Sequence, residues 1–468
     1  MLFSSLTFLA AFMPLFFILY FLFPKLSWKN TLLFVFSVIF YAWGEPAFII
    51  LMMITLTINY VFGLLIAKAG DNRKQAKLFM ILCTAIDLGL LGVFKYTGFL
   101  VSTFASITGL DIPVPAITLP IGISFYTFQI LSYVIDVYRG QVAAQKNFIY
   151  LGTYLAAFPQ LIAGPIVRYV DVAKELENRT TTTDDMAQGM RRFVTGLAKK
   201  VLIANNAAVV ADALFAVAPD QLGVLGSWIA ALAYTIQIYY DFSGYSDMAI
   251  GMGRMMGFKY LENFNHPYAS VSVTDFWRRW HMSLSSFFRD YVYIPLGGSR
   301  VSKPRWIFNT MVVWMLTGLW HGASWNFIVW GLYYGIFLMA EKILFPNFQK
   351  KLPALSWCVT MLATIIGWVV FRAETLTGAF SMYGGMFGAY GFAPDGIFSQ
   401  LQFAGVGGVF LIAMIAGWIF AFPHKKLTEL TSNGAGVVVS DCILIVLLLA
   451  CILCLAAQSY NPFIYFRF

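Results

Sequence analysis

The run IFNTMVVWMLTGLWHGASWNFIVWGLYYGIFLMA, Ile307 to Ala340, holds no Asp, Glu, Lys or Arg in 34 residues. As a single helix rising 1.5 Å per residue it would measure roughly 50 Å, well beyond a hydrocarbon core of roughly 30 Å. It therefore reads as two passes broken near Gly318 and Gly322, with His321 at the break. Stretches 3–23, 47–67 and 148–167 are equally free of the four charged residue types. Of the 468 residues 60% are hydrophobic, 18% aromatic and 11% charged, against roughly 25% charged in an ordinary soluble domain. The fold class that follows is an all-α polytopic membrane protein.

Working outward, candidate spans fall at 3–23, 30–44, 47–67, 78–95, 119–137, 148–167, 193–211, 222–240, 306–320, 323–341, 354–371, 402–422 and 438–458. The expectation is about 11–13 transmembrane or re-entrant helices. Segment 30–44 stops at Gly44-Glu45-Pro46 and 97–118 carries Asp111, Pro113 and Pro115, the marks of re-entrant pieces, which the bilayer tolerates only where protein or water satisfies the backbone. The first span lacks a basic n-region and is longer than a signal-peptide core, so it is read as a retained helix. Lys68, Arg73, Lys74 and Lys77 crowd the link after the third span; short basic links face the cytoplasm, which puts the N-terminus outside.

The net charge of +9 comes from basic residues scattered between apolar spans, with no stripe or tail, so no nucleic-acid partner is expected. Cys83, Cys358, Cys442, Cys451 and Cys454 have no metal-type or disulfide-type spacing and read as packing residues. Two polar regions interrupt the apolar pattern, 168–192 and 256–305. In the first, Thr183 or Asp184 is placed to cap a helix starting near Met186. The second is rich in Trp, Arg and Tyr and reads as an amphipathic or half-buried helix.

Two histidines carry the chemical signal, because an ionisable group beside long apolar runs usually faces a cavity and has a function. His321 is flanked by Gly318 and Gly322, which allow a turn or a close approach. Its neutral imidazole, with an unperturbed pKa of about 6.5, can take the proton of an attacking hydroxyl. The competing reading is an interfacial ring tucked against Trp320 and Trp325. His281 would share one helix face with Trp277, Leu284 and Phe288 by i, i+4, i+7 and i+11 spacing. Arg278 and Arg289, eleven residues apart, would align on another face; with Arg279 they are candidates to grip donor phosphates. Pairing with Asp275, Asp290 or lipid phosphate is the alternative. His266 and His424 sit beside prolines at span edges and are left out of the site. Asp241 and Asp247, in Tyr239-Tyr-Asp-Phe-Ser-Gly-Tyr-Ser-Asp, either orient an imidazole or belong to a structural network. No metal-ligand spacing, nucleophile elbow or P-loop is present.

Six motifs occur in order over 120–335: Pro120-Ile-Gly-Ile-Ser-Phe-Tyr-Thr-Phe-Gln, Phe158-Pro-Gln-Leu-Ile-Ala-Gly-Pro-Ile-Val-Arg-Tyr, Tyr240-Asp-Phe-Ser-Gly-Tyr-Ser-Asp-Met-Ala-Ile-Gly, Asp275-Phe-Trp-Arg-Arg-Trp-His, Phe288-Arg-Asp-Tyr-Val-Tyr-Ile-Pro-Leu-Gly-Gly and Leu319-Trp-His-Gly-Ala-Ser-Trp. By these the chain resembles the membrane-bound O-acyltransferases, in the bacterial branch of alginate O-acetylation. Thr317 and Ser299 are small departures from the family pattern, and neither touches the histidines.

The resemblance implies one membrane-embedded domain over 1–468, with N-terminal helices in 1–118, a catalytic core in 119–345 and C-terminal helices in 346–468. It implies His321 as the catalytic histidine, His281 as a second, positioned one, and a bundle enclosing a tunnel. It further implies acetyl-CoA as donor substrate with no bound cofactor, an extracytoplasmic SGNH-type acetyltransferase as partner, a polysaccharide acceptor, and residence among the lipids of the bacterial cytoplasmic (inner) membrane. D-alanyl transfer to teichoic acids from a carrier-protein donor is the nearest rival. A proton-coupled transporter is the rival from another class, although no internal repeat of the kind many carriers show is visible.

Overall fold

The computed structural model describes residues 1–468 except 163, 425–428, 430–433, 458–460, 462–463 and 465–468. Among the described residues the secondary structure is helical throughout, with no strand. Seven helices are long and apolar enough to cross a membrane, or eight if the pair Ile397–Phe403 and Gly408–Phe420, bent by 82°, is one span. Several of the other expected spans are too short or too polar for that test. The expected 148–167 span, for example, is two helices, Phe148–Ala156 and Phe158–Leu161, parted at Ala157 because Pro159 cannot continue the first one.

The chain divides into two compact units. The first comprises Met1–Phe193 and Met248–Leu261. Its Ile49–Ala69 and Arg73–Thr108 helices form a hairpin turned by Gly70 (φ 52°) and capped by Asn72, whose side chain accepts from the Gln75 amide. The second of these runs 36 residues, so the span expected to end at 95 continues through a region expected to be re-entrant. The chain turns only at Gly109, in the left-handed region at φ 69°. A fully buried aromatic cluster of Phe3, Phe8, Phe16 and Phe158 anchors this unit. Its Thr182 hydroxyl accepts from the Asp185 amide, and the Asp185 carboxylate accepts from the Thr182 amide. That reciprocal cap starts the Thr183–Ala198 helix slightly ahead of the start expected near Met186.

The second unit comprises Val194–Asp247 and Glu262–Phe468, and its core is dominated by aromatic side chains, among them Tyr234, Tyr240, Tyr268, Trp330 and Trp368. Residues Lys199–Ala204 form a π-helical turn, a widening of the helix that recurs at functional sites. The Pro219–Met255 helix carries Tyr239 to Asp247 in its interior, whereas the sequence placed that cluster at the end of a span. The helices Lys303–His321 and Trp325–Ile343, 19 residues each, form the expected hairpin broken at Gly322. They cross closely because Gly318 and Gly331 leave out side chains: a Cβ on Gly318 would lie 2.0 Å from the Phe327 carbonyl oxygen, and one on Gly331 2.1 Å from that of Trp314.

The continuous helix expected through His281 is corrected. Val273–Arg279 and Met282–Phe288 are separate helices, and His281 between them is in the left-handed region at φ 44°, ψ 54°. A non-glycine residue there is costly and persists only when its surroundings hold it. What holds it is the irregular 263–265 segment, whose Asn263 carbonyl accepts from the Met282 amide and whose Asn265 amide donates to the Arg279 carbonyl.

Candidate functional site

His321 is the last residue of the Lys303–His321 helix. Gly322 follows in extended conformation, and a Cβ on it would lie 2.1 Å from the Phe327 ring, so glycine is what lets the hairpin close over the histidine. The buried imidazole is packed edge to face between Trp320, Trp330 and Phe371, with centroids 5.0, 5.1 and 5.1 Å away. It lines a pocket of about 10 Å³ together with Phe242, Trp280, Trp368 and Ile464, room for roughly one water molecule. Trp325, proposed from sequence as a packing partner, is half exposed.

His281 is fully buried against Phe242 at 4.6 Å and Trp320 at 5.7 Å between centroids. Its ring lies 6.3 Å from that of His321, although forty residues separate them in the chain. Its Nδ1 is 3.1 Å from Asn263 Oδ1. The same oxygen accepts from the Ser283 amide at 3.2 Å and the Ser283 hydroxyl at 2.9 Å, while Asn263 Nδ2 donates to Ser246 Oγ at 3.0 Å. His281 sits on a connection outside the spanning helices, and burial lowers its pKa from the ordinary value, which keeps the ring neutral.

His281 also borders a larger cavity of about 250 Å³. Trp277, Leu284 and Phe288 line it as well, so the four side chains assigned to one helix face do converge, across a break between two helices rather than along one. Arg278 and Arg289 both border this cavity and are joined by Lys342. Arg289 is engaged by Asp290 through two hydrogen bonds of 2.7 and 3.0 Å. Arg279 is absent from the cavity lining and is paired with Asp275 at 3.1 Å. The Glu341 carboxylate accepts from the Val273 and Thr274 amides and the Thr274 hydroxyl, tying the helix that carries Trp277 and Arg278 to the Trp325–Ile343 helix.

Asp241 and Asp247 form ion pairs with Lys200 and Lys199 on the π-helical turn. Asp241 also accepts from the Ile464 amide at 2.8 Å. His266 Nδ1 lies 3.2 Å from the Ala421 carbonyl and His424 Nε2 2.7 Å from that of Ile419, both away from the two rings above. Among the described residues no group of three or more His, Cys, Asp or Glu could hold a metal ion. All five cysteines are free thiols. Sequence reasoning passed over Asn263, Ser246, Lys199, Lys200 and Lys342. Asn263 lies three residues before His266, but nothing local to it signals a contact 18 residues onward.

Residues 142–383 match the model of the MBOAT, membrane-bound O-acyltransferase family, a range that contains both histidines and five of the six motifs. The chain is 42% identical to the probable alginate O-acetylase AlgI of Pseudomonas putida, with 100% of both chains covered. It is 36% identical to a peptidoglycan O-acetyltransferase of Helicobacter pylori over 84% of this chain and 80% of that one. A teichoic acid D-alanyltransferase of Bacillus subtilis is 31% identical over 65% of this chain and 78% of its own.

Proposed function

The chain belongs to the membrane-bound O-acyltransferase family and is a multi-pass membrane O-acyltransferase, and from that premise we propose that it moves an acetyl group from cytosolic acetyl-CoA across the bacterial cytoplasmic membrane for O-acetylation of an extracytoplasmic polysaccharide. The observation that carries the reading is the pair of buried histidines whose rings approach to 6.3 Å, one of them bordering a cavity edged by Arg278, Arg289 and Lys342. The likeness to an alginate O-acetylase and a peptidoglycan O-acetyltransferase supports an acetyl group and a polymer acceptor.

In this reading the basic edge of the cavity receives the coenzyme phosphates, where guanidinium groups match phosphate geometry. His321 takes the proton of the acceptor hydroxyl as its oxygen attacks the thioester carbon. A C–O bond forms, the C–S bond breaks, and the leaving thiolate takes the proton from the imidazolium. Positioned general-base catalysis of this kind is worth about 10²–10⁴ in rate. His281 holds the reacting groups in place. The acetyl group then passes to an SGNH-type acetyltransferase on the outer face, which delivers it to the polymer.

The test is transfer of radiolabelled acetyl-CoA to acceptor by purified protein in vesicles. His321→Ala that inserts normally is expected to lose at least about a hundredfold; full transfer by that variant would remove the assignment. A parallel arm offering a D-alanyl carrier-protein thioester separates the rival activity, since use of that donor in preference to acetyl-CoA would replace the proposal by the teichoic acid reaction.

A further inference from the structure

We infer that Asn263 is a positioning residue for the transfer site: it fixes His281 in the tautomer with hydrogen on Nδ1, leaving Nε2 as a lone-pair edge that accepts a hydrogen bond from a hydroxyl or thiol of the reacting groups. The inference rests on His281 belonging to that site, as proposed above.

The geometry sets the tautomer through a chain of donors. The Ser283 amide has only a hydrogen to offer, and it meets Asn263 at the atom assigned Oδ1. That atom is therefore the carbonyl oxygen, since the amide nitrogen of the side chain can only donate. The other end of the amide then donates to Ser246 Oγ. An oxygen 3.1 Å from His281 Nδ1 can only accept, so Nδ1 carries the hydrogen. In a neutral imidazole the other nitrogen is then the acceptor. His281 Nε2 is buried with no hydrogen-bond partner, although buried polar atoms are nearly always satisfied. The residue borders the 250 Å³ cavity, the side from which a partner would reach the ring.

The arrangement also accounts for the strained backbone. His281 adopts φ 44°, and the Asn263 carbonyl bonded to the Met282 amide and the Asn263 side chain bonded to Ser283 together fasten that turn. Asn263 is itself fully buried, so its amide is held rather than free to rotate. A hydrophobic residue would fill the space and take away the acceptor 3.1 Å from Nδ1, leaving only Ser283 Oγ at 3.5 Å; aspartate would keep the closer one.

Histidine-selective ¹⁵N NMR on the full chain in detergent micelles, with His281 assigned by His281→Gln, reads the tautomer directly. The native ring is expected in the Nδ1–H form, Asn263→Leu to lose that preference and Asn263→Asp to regain it. In acetyl transfer, Asn263→Leu is expected to lower kcat by at least tenfold with KM for acetyl-CoA unchanged, and Asn263→Asp to recover most of it; the direction follows the case of a wrongly set histidine in a serine-protease triad, which costs about 10⁴. A native Nε2–H ring, or an Nδ1–H ring that persists in Asn263→Leu, would overturn the inference. Loss of both activity and native unfolding temperature in Asn263→Leu with no rescue by Asn263→Asp would also overturn it, by reducing Asn263 to a structural role. Failure of the underlying reading looks different: His281→Gln would then transfer acetyl at the native rate.

Discussion

Arg278 borders the cavity beside His281 and makes no ion pair among the described residues, whereas Arg279 turns away and is tied to Asp275. If the cavity receives an anionic donor, removing the Arg278 charge weakens ground-state binding and leaves the chemical step alone, which appears in KM. Arg278→Ala is therefore expected to raise KM for acetyl-CoA on the order of tenfold at low salt, the effect shrinking as salt screens the site, while Arg279→Ala leaves KM unchanged. Steady-state transfer assays at two ionic strengths check both, and equal effects of the two substitutions would contradict the separation. The sequence brought out His321, His281 and the neighbouring arginines as chemical candidates because charge is conspicuous in apolar surroundings. It left the two arginines equivalent, since which of two adjacent side chains meets a cavity depends on where their short helix is pinned, here by Glu341 68 residues away. Asn263 stayed hidden for the same reason.

At the scale of elements, the hairpin of Lys303–His321 and Trp325–Ile343 was readable from its uncharged run and its glycines. The break at His281 was not, because periodicity reports which side chains share a face and is silent about a backbone turn that preserves the convergence. Nor was the π-helical turn that sets Lys199 and Lys200 against Asp247 and Asp241, an arrangement decided by partners more than forty residues on. The hairpin makes a sharp prediction. Gly331→Ala would drive a methyl group into the Trp314 carbonyl, a backbone atom that cannot rotate aside, so it is expected to cost about 1–3 kcal/mol, as overpacking does. Gly92 lies inside the Arg73–Thr108 helix with nothing within 4 Å of its missing Cβ. There alanine is expected to be neutral or to stabilise by about 0.5–1 kcal/mol, since glycine gives up more conformational freedom in a helix. Thermal unfolding of the two variants in detergent compares them; a Gly331→Ala protein as stable as Gly92→Ala would show that the hairpin can separate at no cost.

For the whole molecule, membrane residence was legible from composition alone, because a chain that is 60% hydrophobic and 11% charged has too little polar surface to face water. Exposed Ile18, Trp43, Phe403 and Leu453 and the Gly434–Ala457 helix, little of it buried, are what that composition looks like in three dimensions: apolar surface suited to contact with lipid chains. The exact count of spans was less legible, since a hydropathy window does not distinguish one long helix from a span followed by a re-entrant piece, as at 73–108. The composition also bears on sidedness. A coenzyme carrying several phosphate charges cannot enter hydrocarbon without a large desolvation cost, so an enzyme fed from the cytosol must take its donor from one face only. Under the positive-inside tendency, the basic link around Lys68, Arg73, Lys74 and Lys77 would lie at the cytoplasmic face, the orientation the proposed donor route requires. In sealed inverted vesicles, with that face outward, added acetyl-CoA is expected to support transfer at once, whereas right-side-out vesicles stay inactive until permeabilised. Equal rates from both faces before permeabilisation would mean that the donor reaches the histidines from either side, and transfer across the membrane would have to be abandoned as the purpose of the fold.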